Sequence, residues 1–270
     1  MPEFGKPPTG HRKSRRDLVM AGVIGASALL AKLELASANC GDNGKDVGEG
    51  CDCFLKGTTI RTADGDRKVE DLAVGDLLPT VFGGICPIRS IGYYPYKKPW
   101  VKDVLPVRVA RSALGPDVPH ADLCVTKAHA LLIDAVLVTA GSLINGTTIK
   151  HYDARELDEL EFFHIKLERH NVIYAEGAPC ETLLDVDENA VNLAGYLDQH
   201  GTLTGTVARC APLLSFYGGR SEIKSRFRSA LSPWIDRRHK LDIIRDELEE
   251  RGIALAASGT RVVIGVYPPV

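Results

Sequence analysis

Between residues 53 and 185 the sequence changes repeatedly from short apolar runs to turn residues, and this pattern limits the possible folds more than any other feature. The runs are rich in β-branched and aromatic residues, as in VLPVRVA, VLVTAGSL, TTIKHY, EFFHIKL and NVIYAEG. Asp64-Gly65 and Asn145-Gly146 are dipeptides typical of tight turns between strands. Many short strands at this spacing are typical of all-β domains. We therefore predict a mainly β domain over residues 53–185.

Residues 186–270 follow a different pattern, which predicts a C-terminal extension with two helices and a final strand. Apolar residues recur at helical spacing in two groups: Ile223, Phe227 and Leu231, then Leu241, Ile244 and Leu248. Ser232-Pro233 is typical of a helix start and Gly252 of a helix end, so the second helix is expected between them. The last run, TRVVIGVYPPV, predicts a strand that ends at its prolines.

The first 38 residues are typical of a cleaved export signal. Arg15 and Arg16 resemble the arginine pair of a twin-arginine signal, and the triplet ASA that ends at Ala38 matches a cleavage site. Between them, the mildly apolar run Leu18–Ala31 is shorter than the roughly 20 residues that a membrane span needs. Removal of the signal would leave no stable membrane span, and a Gly- and Asp-rich leader, residues 39–52, would come first. The alternative is a basic amphipathic helix that stays attached.

The charge of the chain argues against nucleic acid as a partner. The formal net charge is −2, with 33 basic and 35 acidic residues. Residues 1–38 hold six of the basic and three of the acidic residues, so the chain without them has 27 and 32 and a net charge of −5. Such a chain lacks the basic surface that nucleic acid requires. The partner implied by the signal is the twin-arginine export machinery, and the expected location is periplasmic or extracellular.

Three interpretations are open for Cys51 and Cys53, which stand one residue apart in a chain with seven cysteines. Export to an oxidising compartment would permit disulfides, such as one between Cys40 and Cys51. A zinc site would need a second well-spaced Cys/His pair, which the sequence does not offer, so we expect no metal and no cofactor. The third interpretation is that one of the two cysteines is a nucleophile.

The stretch CFLKGTTIRTADGDRKVEDLAVGDLL, which begins at Cys53, resembles the start of a Hint domain, the autoprocessing fold of hedgehog C-terminal domains and inteins. Further along, VTKAHALL carries a TxxH motif as Thr126 and His129. HIKLERHNVIYAEG, with His164 and His170, resembles a late block of the family. The resemblance covers roughly residues 53–185 and is nearest to the bacterial branch. It implies a mainly β, Hint-type fold, to which the C-terminal α-helical extension is added.

The resemblance implies an N–S acyl shift at Cys53. The thiol would attack the carbonyl of Asp52, so the scissile bond joins Asp52 and Cys53. His129 would protonate the departing nitrogen while Thr126 supports the amide, and a nearby imidazole would lower the pKa of the thiol. The predicted catalytic residues are Cys53, Thr126, His129, His164 and His170.

Two departures from the family limit the reaction. Inteins end in His-Asn before their C-terminal flank, whereas this chain has Pro179, Cys180 and Glu181 in that region and then continues. Sterol transfer of the hedgehog type needs an activating aspartate, and the corresponding stretch, ICPIRSIGYYPY, has none. The resemblance therefore predicts single-turnover self-cleavage without full splicing. Water or a small nucleophile would be the acyl acceptor, whose identity the sequence does not give.

Two other functions fit the same residues. A degenerate, non-catalytic Hint module would serve as an exported binding or structural domain, with Cys53 and His129 as ordinary core residues. A cysteine hydrolase that acts on other proteins would need an open cleft beside Cys53. The intact mass of the purified protein distinguishes self-cleavage from the non-catalytic module.

Overall fold

The strands observed in this protein agree with the short apolar runs of its sequence. The structure is a computed structural model that describes residues 52–98, 105–184, 208–215, 220–232 and 238–258. These residues form fourteen strands in two seven-stranded sheets, and two α-helices. The predicted mainly β fold with a helical extension is therefore confirmed. The predicted export signal, most of the leader and the final strand in TRVVIGVYPPV lie outside the described residues.

Most strands are two to four residues long and two are longer. In chain order they are β1 (Phe54–Leu55), β2 (Thr59–Thr62), β3 (Gly65–Lys68), β4 (Leu77–Thr80), β5 (Gly84–Lys97), β6 (Val107–Val109), β7 (Leu123–Val125), β8 (Ala130–Ile133), β9 (Val136–Thr139), β10 (Ile149–His151), β11 (Glu159–Leu167), β12 (Val172–Ala175), β13 (Ala178–Glu181) and β14 (Leu213–Leu214).

Strand β1 lies at the centre of the first sheet. That sheet has the order β10-β6-β7-β1-β11-β5-β4, and the second has the order β14-β9-β8-β13-β12-β2-β3. Phe54 of β1 pairs antiparallel with Phe163 of β11 on one side and with Val125 of β7 on the other. Cys53 comes directly before this strand, so the sheet order places it between two strands from much later in the chain.

Asp64-Gly65 forms the tight turn that the sequence predicts, whereas Asn145-Gly146 lies in the loop between a 3-10 turn, Ala140–Leu143, and β10. Across the turn between β2 and β3, Thr62 pairs with Gly65, whose φ of +114° is rare for residues with a side chain. Gly146 has a φ of +76°, and the amides of Asn145 and Gly146 both donate to the carbonyl of Ile149. Because residues with a side chain rarely adopt a positive φ, these values explain why glycine occupies positions 65 and 146.

Two apolar clusters lie on opposite faces of β1. The main core takes side chains from both sheets, among them Phe54, Ile60, Leu78, Val125, Leu131, Ile165 and Ile173. The second, here the small cluster, contains the buried residues Cys53, Leu55, Cys124, Ala154, Leu160 and Phe162. Because successive side chains of a strand point to opposite faces, Phe54 enters the main core while Cys53 and Leu55 face the small cluster.

The two helices differ in how they use their apolar residues. Helix α1 spans Arg220–Leu231 and α2 spans Lys240–Ala257. The stripe of α2, Leu241, Ile244 and Leu248, packs into the main core as predicted. The stripe of α1, Ile223, Phe227 and Leu231, is exposed. The helices are joined by a bidentate ion pair in which Arg228 donates to the buried Asp242 at 2.6 and 3.0 Å.

The predicted start of the second helix at Ser232-Pro233 is wrong. Ser232 instead follows the end of α1, where its amide donates to the carbonyl of Ser229 at 3.2 Å. Helix α2 begins at Lys240. There the Asp242 carboxylate accepts the amide proton of His239 at 2.9 Å, which satisfies a backbone donor at the helix start without a proline.

The predicted end of this helix at Gly252 is also wrong, since Gly252 lies inside α2. A Cβ atom at this position would stand 2.6 Å from Oγ1 of Thr147 and 3.3 Å from Oγ1 of Thr148. Glycine is therefore needed for the close approach of the loop before β10 rather than for ending the helix.

Neither α1 nor α2 has the length and apolar character that a membrane-crossing helix requires, and the described residues contain no other α-helix.

Candidate active site

Thr126 and His129 lie on one tight turn between β7 and β8. The amide of His129 donates to the carbonyl of Thr126 at 3.2 Å and closes the turn. A 3-10 turn, Ala140–Leu143, packs against it so closely that a Cβ atom on Gly141 would be 3.1 Å from the carbonyl oxygen of Lys127. Both Thr126 and His129 are buried. The turn therefore holds the two residues of the TxxH motif together, as predicted.

Thr126 holds the main chain of Cys53 by two hydrogen bonds. The Cys53 amide donates to Oγ1 of Thr126 at 3.0 Å. In return, the amide of Thr126 donates to the carbonyl of Cys53 at 3.0 Å. The Cys53 nitrogen is the atom that would leave if the bond to Asp52 were cleaved. Thr126 thus fixes the position of that nitrogen.

The imidazole of His129 is fully buried against the ring of Phe54, with the ring centroids 4.4 Å apart. No side chain of the described residues hydrogen-bonds to either ring nitrogen, while main-chain groups of Cys53 and Glu181 lie close to the ring. Burial lowers the pKa of His129 to about 4, although the charge of Glu181 and the nearby main chain of Cys53 and Glu181 act in the opposite direction. At neutral pH this imidazole is uncharged, with one nitrogen that can accept a proton and one that can donate.

His164 lies on β11 opposite Gly92 of β5. A Cβ atom at position 92 would be 1.8 Å from Nε2 of His164, so only glycine leaves room for the ring. The ring packs edge-on against Tyr94, with centroids 5.1 Å apart. Burial, followed by the charge of Lys166, lowers the pKa of His164 to about 4. Its ring nitrogens also have no hydrogen-bonding partner within the described part of the chain.

The strand register relates His164 to Cys53. Phe54 and Phe163 are paired in antiparallel register. Cys53, directly before β1, therefore stands opposite His164 of β11. Phe162 shares the small cluster with Cys53, and alternation along β11 puts His164 on the same face as Phe162. His164 is therefore on the thiol side of the first sheet, whereas His129 packs on Phe54 on the other side.

The Cys53 thiol is protonated at rest. Burial and the negative charge of Asp52 raise the pKa of this thiol well above its ordinary value. The prediction that an imidazole lowers this pKa is wrong, because the thiol is fully buried and the nearby histidines are uncharged. Since the thiolate is the nucleophilic form, any reaction of Cys53 requires a base that removes its proton.

Glu181, at the end of β13, is a buried carboxylate with three donors from separate parts of the chain. Its Oε1 accepts the amide proton of Ala130 at 2.7 Å. Its Oε2 lies 3.2 Å from Nε2 of His170 and 3.4 Å from Nη1 of Arg209. Burial alone would raise the pKa of Glu181, but the His170 hydrogen bond and the nearby Arg209 cation hold it below its usual value. Glu181 is therefore ionised.

His170 contributes to the site through Glu181. Its Nδ1 accepts the amide proton of Cys210 at 3.0 Å, so Nε2 carries the proton and donates to Glu181. Arg209 and Cys210 both belong to the short segment before β14. The predicted catalytic residue His170 thus orients a carboxylate in this structure and makes no hydrogen bond to Cys53 among the described residues.

The protonation of the Asp52 carboxyl group is affected by the nearby Glu181. Burial and then the charge of Glu181 raise the pKa of Asp52 well above its usual value, while Arg209 acts in the opposite direction. Asp52 therefore holds its proton more tightly than an exposed aspartate does.

The described cysteines are all free thiols: Cys53, Cys86, Cys124, Cys180 and Cys210. The same part of the chain contains no group of three or more His, Cys, Asp or Glu residues arranged to hold a metal ion. Cys40 and Cys51 lie outside it, so the leader disulfide remains a prediction.

Glu181 and Arg209 belong to this site, although the sequence motifs do not mark them. In the sequence, Glu181 stands out only as part of the departure from the intein ending. Its one sequence signal is that a single acidic residue stands inside an otherwise mostly apolar run, APCETLL. Arg209 has no comparable signal, since it lies beyond the stretch that resembles the family.

Comparison with known proteins supports the resemblance seen in the sequence. The profile of a Hint domain family matches residues 52–187, which is half of the chain. No curated protein sequence matches the chain.

Several solved structures of inteins and intein-like domains are similar to part of the chain. The gp41-1 intein is 16% identical, over 47% of this chain and 98% of that one, with a TM-score of 0.35. A DnaB intein from Synechocystis sp. PCC 6803 is 10% identical, over 49% and 99%, with a TM-score of 0.35. A bacterial intein-like domain from Clostridium thermocellum is 13% identical, over 49% and 99%, with a TM-score of 0.31.

Proposed function

The chain belongs to the Hint domain family, and on that premise we propose that it cleaves itself once, between Asp52 and Cys53, by an N–S acyl shift without full splicing. Family membership supports an autoprocessing type of domain in general. The observation that carries the specific reaction is the pair of 3.0 Å hydrogen bonds between Cys53 and Thr126. These bonds hold the Cys53 nitrogen, which is the leaving group of the reaction, next to the turn that carries His129.

In the first step the Cys53 thiol adds to the carbonyl carbon of Asp52, and one proton moves from sulfur to the Cys53 nitrogen. His129 suits the delivery of this proton to the Cys53 nitrogen, because it lies on the turn that holds that nitrogen and its neutral ring can take up a proton and pass it on. His164, on the thiol side of the sheet, is the neutral base that takes the proton from sulfur. The C–N bond then breaks, leaving a thioester between Asp52 and Cys53 and a free amine on Cys53.

In the second step an external nucleophile opens the thioester. Water gives a fragment that ends in the carboxylate of Asp52, and a small thiol gives the corresponding thioester of that fragment. In both cases the Cys53 thiol is regenerated with a proton. The chain beyond residue 185 stays attached, because the sequence lacks the His-Asn ending that releases a C-terminal flank.

Cleavage at Cys53 is tested by adding dithiothreitol to the folded protein and measuring its intact mass. We expect a fragment that ends at Asp52, with a mass that shows the attached thiol before hydrolysis. Cys53→Ala should abolish the release, since no thioester can form. Cys51→Ala is the matched control and should release the fragment as the parent does, because Cys51 lies in the leaving segment. Unchanged mass after long incubation of a folded sample would contradict the reaction.

The rival proposal is a degenerate Hint module that binds a partner or has a structural role and does not react. The observation in its favour is the complete burial of Cys53 together with its raised thiol pKa. The same mass measurement distinguishes the two proposals. A cysteine hydrolase that acts on other proteins is the least supported alternative, because it needs a substrate cleft that reaches Cys53.

We further propose that the domain is exported by the twin-arginine route to the periplasm or the extracellular space, as in a bacterial protein. The support is the Arg15-Arg16 pair and the cleavage triplet that ends at Ala38. The proposed chain organisation is a signal peptide in residues 1–38, a leader in 39–52, the Hint-type domain in 53–185 and the extension in 186–270.

A further inference from the structure

A short segment of the C-terminal extension, residues 208–215, lies beside the candidate active site, although the match to the Hint family ends at residue 187. We call this segment the strap. Its strand β14 pairs parallel with β9, and its Ala211 is buried in an apolar cluster that also contains Ala130. Because Ala130 directly follows His129 in the chain, the strap packs next to the turn that carries the TxxH motif.

A series of polar contacts connects the strap to the start of β8. The amide of Cys210 donates to Nδ1 of His170 at 3.0 Å, and Nε2 of this ring lies 3.2 Å from Oε2 of Glu181. Nη1 of Arg209 lies 3.4 Å from the same oxygen. The other carboxylate oxygen, Oε1, accepts the amide proton of Ala130 at 2.7 Å. The side chains of His170 and Glu181 in the middle of this series are both buried.

We propose that the strap completes the self-cleavage site by holding, through His170 and Glu181, the turn that carries His129; this inference rests on the proposed self-cleavage. The main chain of this turn is held on both sides of the imidazole. The carbonyl of His129 accepts the amide proton of Ala140 at 2.9 Å, and the next amide, that of Ala130, is held by Glu181. Glu181 and the strap are therefore positioning groups that act through His129.

The position of this turn determines the rate because the turn carries two groups that must meet. Thr126 holds the Cys53 nitrogen at 3.0 Å, and His129, three residues later, delivers the proton to that nitrogen. Proton transfer requires hydrogen-bonding reach, about 2.6–3.2 Å. A displacement of the start of β8 would therefore move the imidazole away from the nitrogen while Thr126 keeps the nitrogen in place.

The tautomer of His170 explains why a carboxylate stands at position 181. Because Nδ1 accepts the Cys210 amide proton, Nε2 carries a proton and needs an acceptor. The amide of Ala130 needs a second acceptor on the other oxygen. A carboxylate accepts at both oxygens, whereas the side chain of glutamine accepts at only one. Glu181→Gln must therefore leave one of these two buried donors unpaired.

The first test compares the rates at which full-length parent and Glu181→Gln release the fragment in dithiothreitol, under conditions in which urea unfolding shows both to be folded. We expect Glu181→Gln to be about tenfold to a hundredfold slower, the rate equivalent of one unpaired buried group.

Glu176→Gln is the matched control and should release the fragment as the parent does. Glu176 is also a buried carboxylate, which accepts the Thr59 amide proton at 2.6 Å and lies 3.3 Å from Nε2 of His120. Parent-like release by Glu181→Gln, or equal slowing by Glu176→Gln, overturns the inference.

The strap itself is tested with two substitutions at one position. Cys210→Pro removes the amide proton that His170 accepts, and we expect release about tenfold slower than in the parent. Cys210→Ala removes only the thiol and should match the parent. If Cys210→Pro does not fold, Arg209→Met, which removes the cation beside Glu181, takes its place with the same expected slowing. Parent-like release by the folded strap variant overturns the inference.

A second measurement does not depend on cleavage. In Cys53→Ala protein, which keeps the bond intact, the ¹⁵N NMR signals of the His170 ring should show a proton on Nε2 and none on Nδ1. Adding Cys210→Pro should abolish this preference and move the amide signal of Ala130, whereas adding Cys210→Ala should change neither. The opposite tautomer, or an unmoved Ala130 signal, contradicts this inference alone. No release from the parent contradicts the proposed self-cleavage, and the inference with it.

Discussion

His129 and His164 are residues whose chemistry depends on the exclusion of water. In the folded protein their pKa is about 4, against about 6.5 for an unperturbed histidine. Between these two values the unfolded chain binds more protons than the folded chain. Stability from the neutral imidazoles is therefore complete above about pH 6.5 and falls as the pH drops toward 4. The proposed proton transfer, which needs neutral rings, has the same acid limit.

Replacement of His129 by alanine should slow thiol-induced release far more than it destabilises the fold. General acid–base catalysis typically contributes about 10²–10⁴-fold in rate, and we expect a loss in that range. The measurement is the rate of fragment release by mass spectrometry, beside the urea midpoint of the same variant. His151→Ala on the exposed surface is the control and should match the parent in both. Equal release by His129→Ala and the parent would make His129 a structural core residue.

The site was partly predictable at this scale. Cys53, Thr126 and His129 belong to motifs that can be recognised from the order of residues in the sequence. The structure brings these three residues together. Glu181 was not predictable, because its partners Ala130 and Arg209 lie 51 and 28 residues away and are joined only by the fold. The raised pKa of the Cys53 thiol was also beyond reach, since it depends on burial that no local pattern specifies.

At the scale of elements, the pairing of β5 with β11 has a tight point at Gly92. Gly92 faces His164, and any side chain there would overlap the imidazole. We expect Gly92→Ala to lower the free energy of unfolding by about 1–3 kcal/mol, the usual cost of adding a carbon to a packed core. Denaturant unfolding measures this change.

The matched control for this prediction is Gly115→Ala. A Cβ atom at position 115 would meet only Cβ of Val118, at 3.8 Å, which is an ordinary contact. Adding His164→Ala to Gly92→Ala should recover part of the lost stability, because the overlapping ring is gone. A fully stable Gly92→Ala protein would show that the β5–β11 packing is looser than the structure indicates.

Elements were predictable where the signal is local. The short strands follow from alternation, and the turn between β2 and β3 follows from the Asp64-Gly65 dipeptide, which favours positive φ. The boundaries of α2 did not follow, because its start is fixed by Asp242 accepting the amide of His239. Gly252 was misleading, since its small size accommodates Thr147 and Thr148 from another part of the chain. The central position of β1 in its sheet could not be predicted either, because two residues are too few to show the alternation of apolar and polar side chains.

At the scale of the whole molecule, export and self-cleavage would act on neighbouring segments of the same N-terminal region. We predict that replacing both Arg15 and Arg16 by lysine leaves the precursor in the cytoplasm, because the paired arginines are the recognised feature of this signal. Cell fractionation followed by immunoblotting measures the distribution. Arg12→Lys, outside the pair, is the control and should be exported. Normal export of the double variant would show that another route is used.

The position of Cys53 at the head of the central strand β1 has a consequence for the direction of the proposed reaction. After the acyl shift, the new amino group does not diffuse away, because β7 and β11 hold the strand on both sides. It remains next to the thioester that it has just left, at an effective concentration that for well-oriented groups can reach about 10⁵ M or more. The amide and the thioester would therefore interconvert, with the amide as the resting form. The rate of fragment release would then depend on how often an external nucleophile reacts with the thioester, which is the minor form.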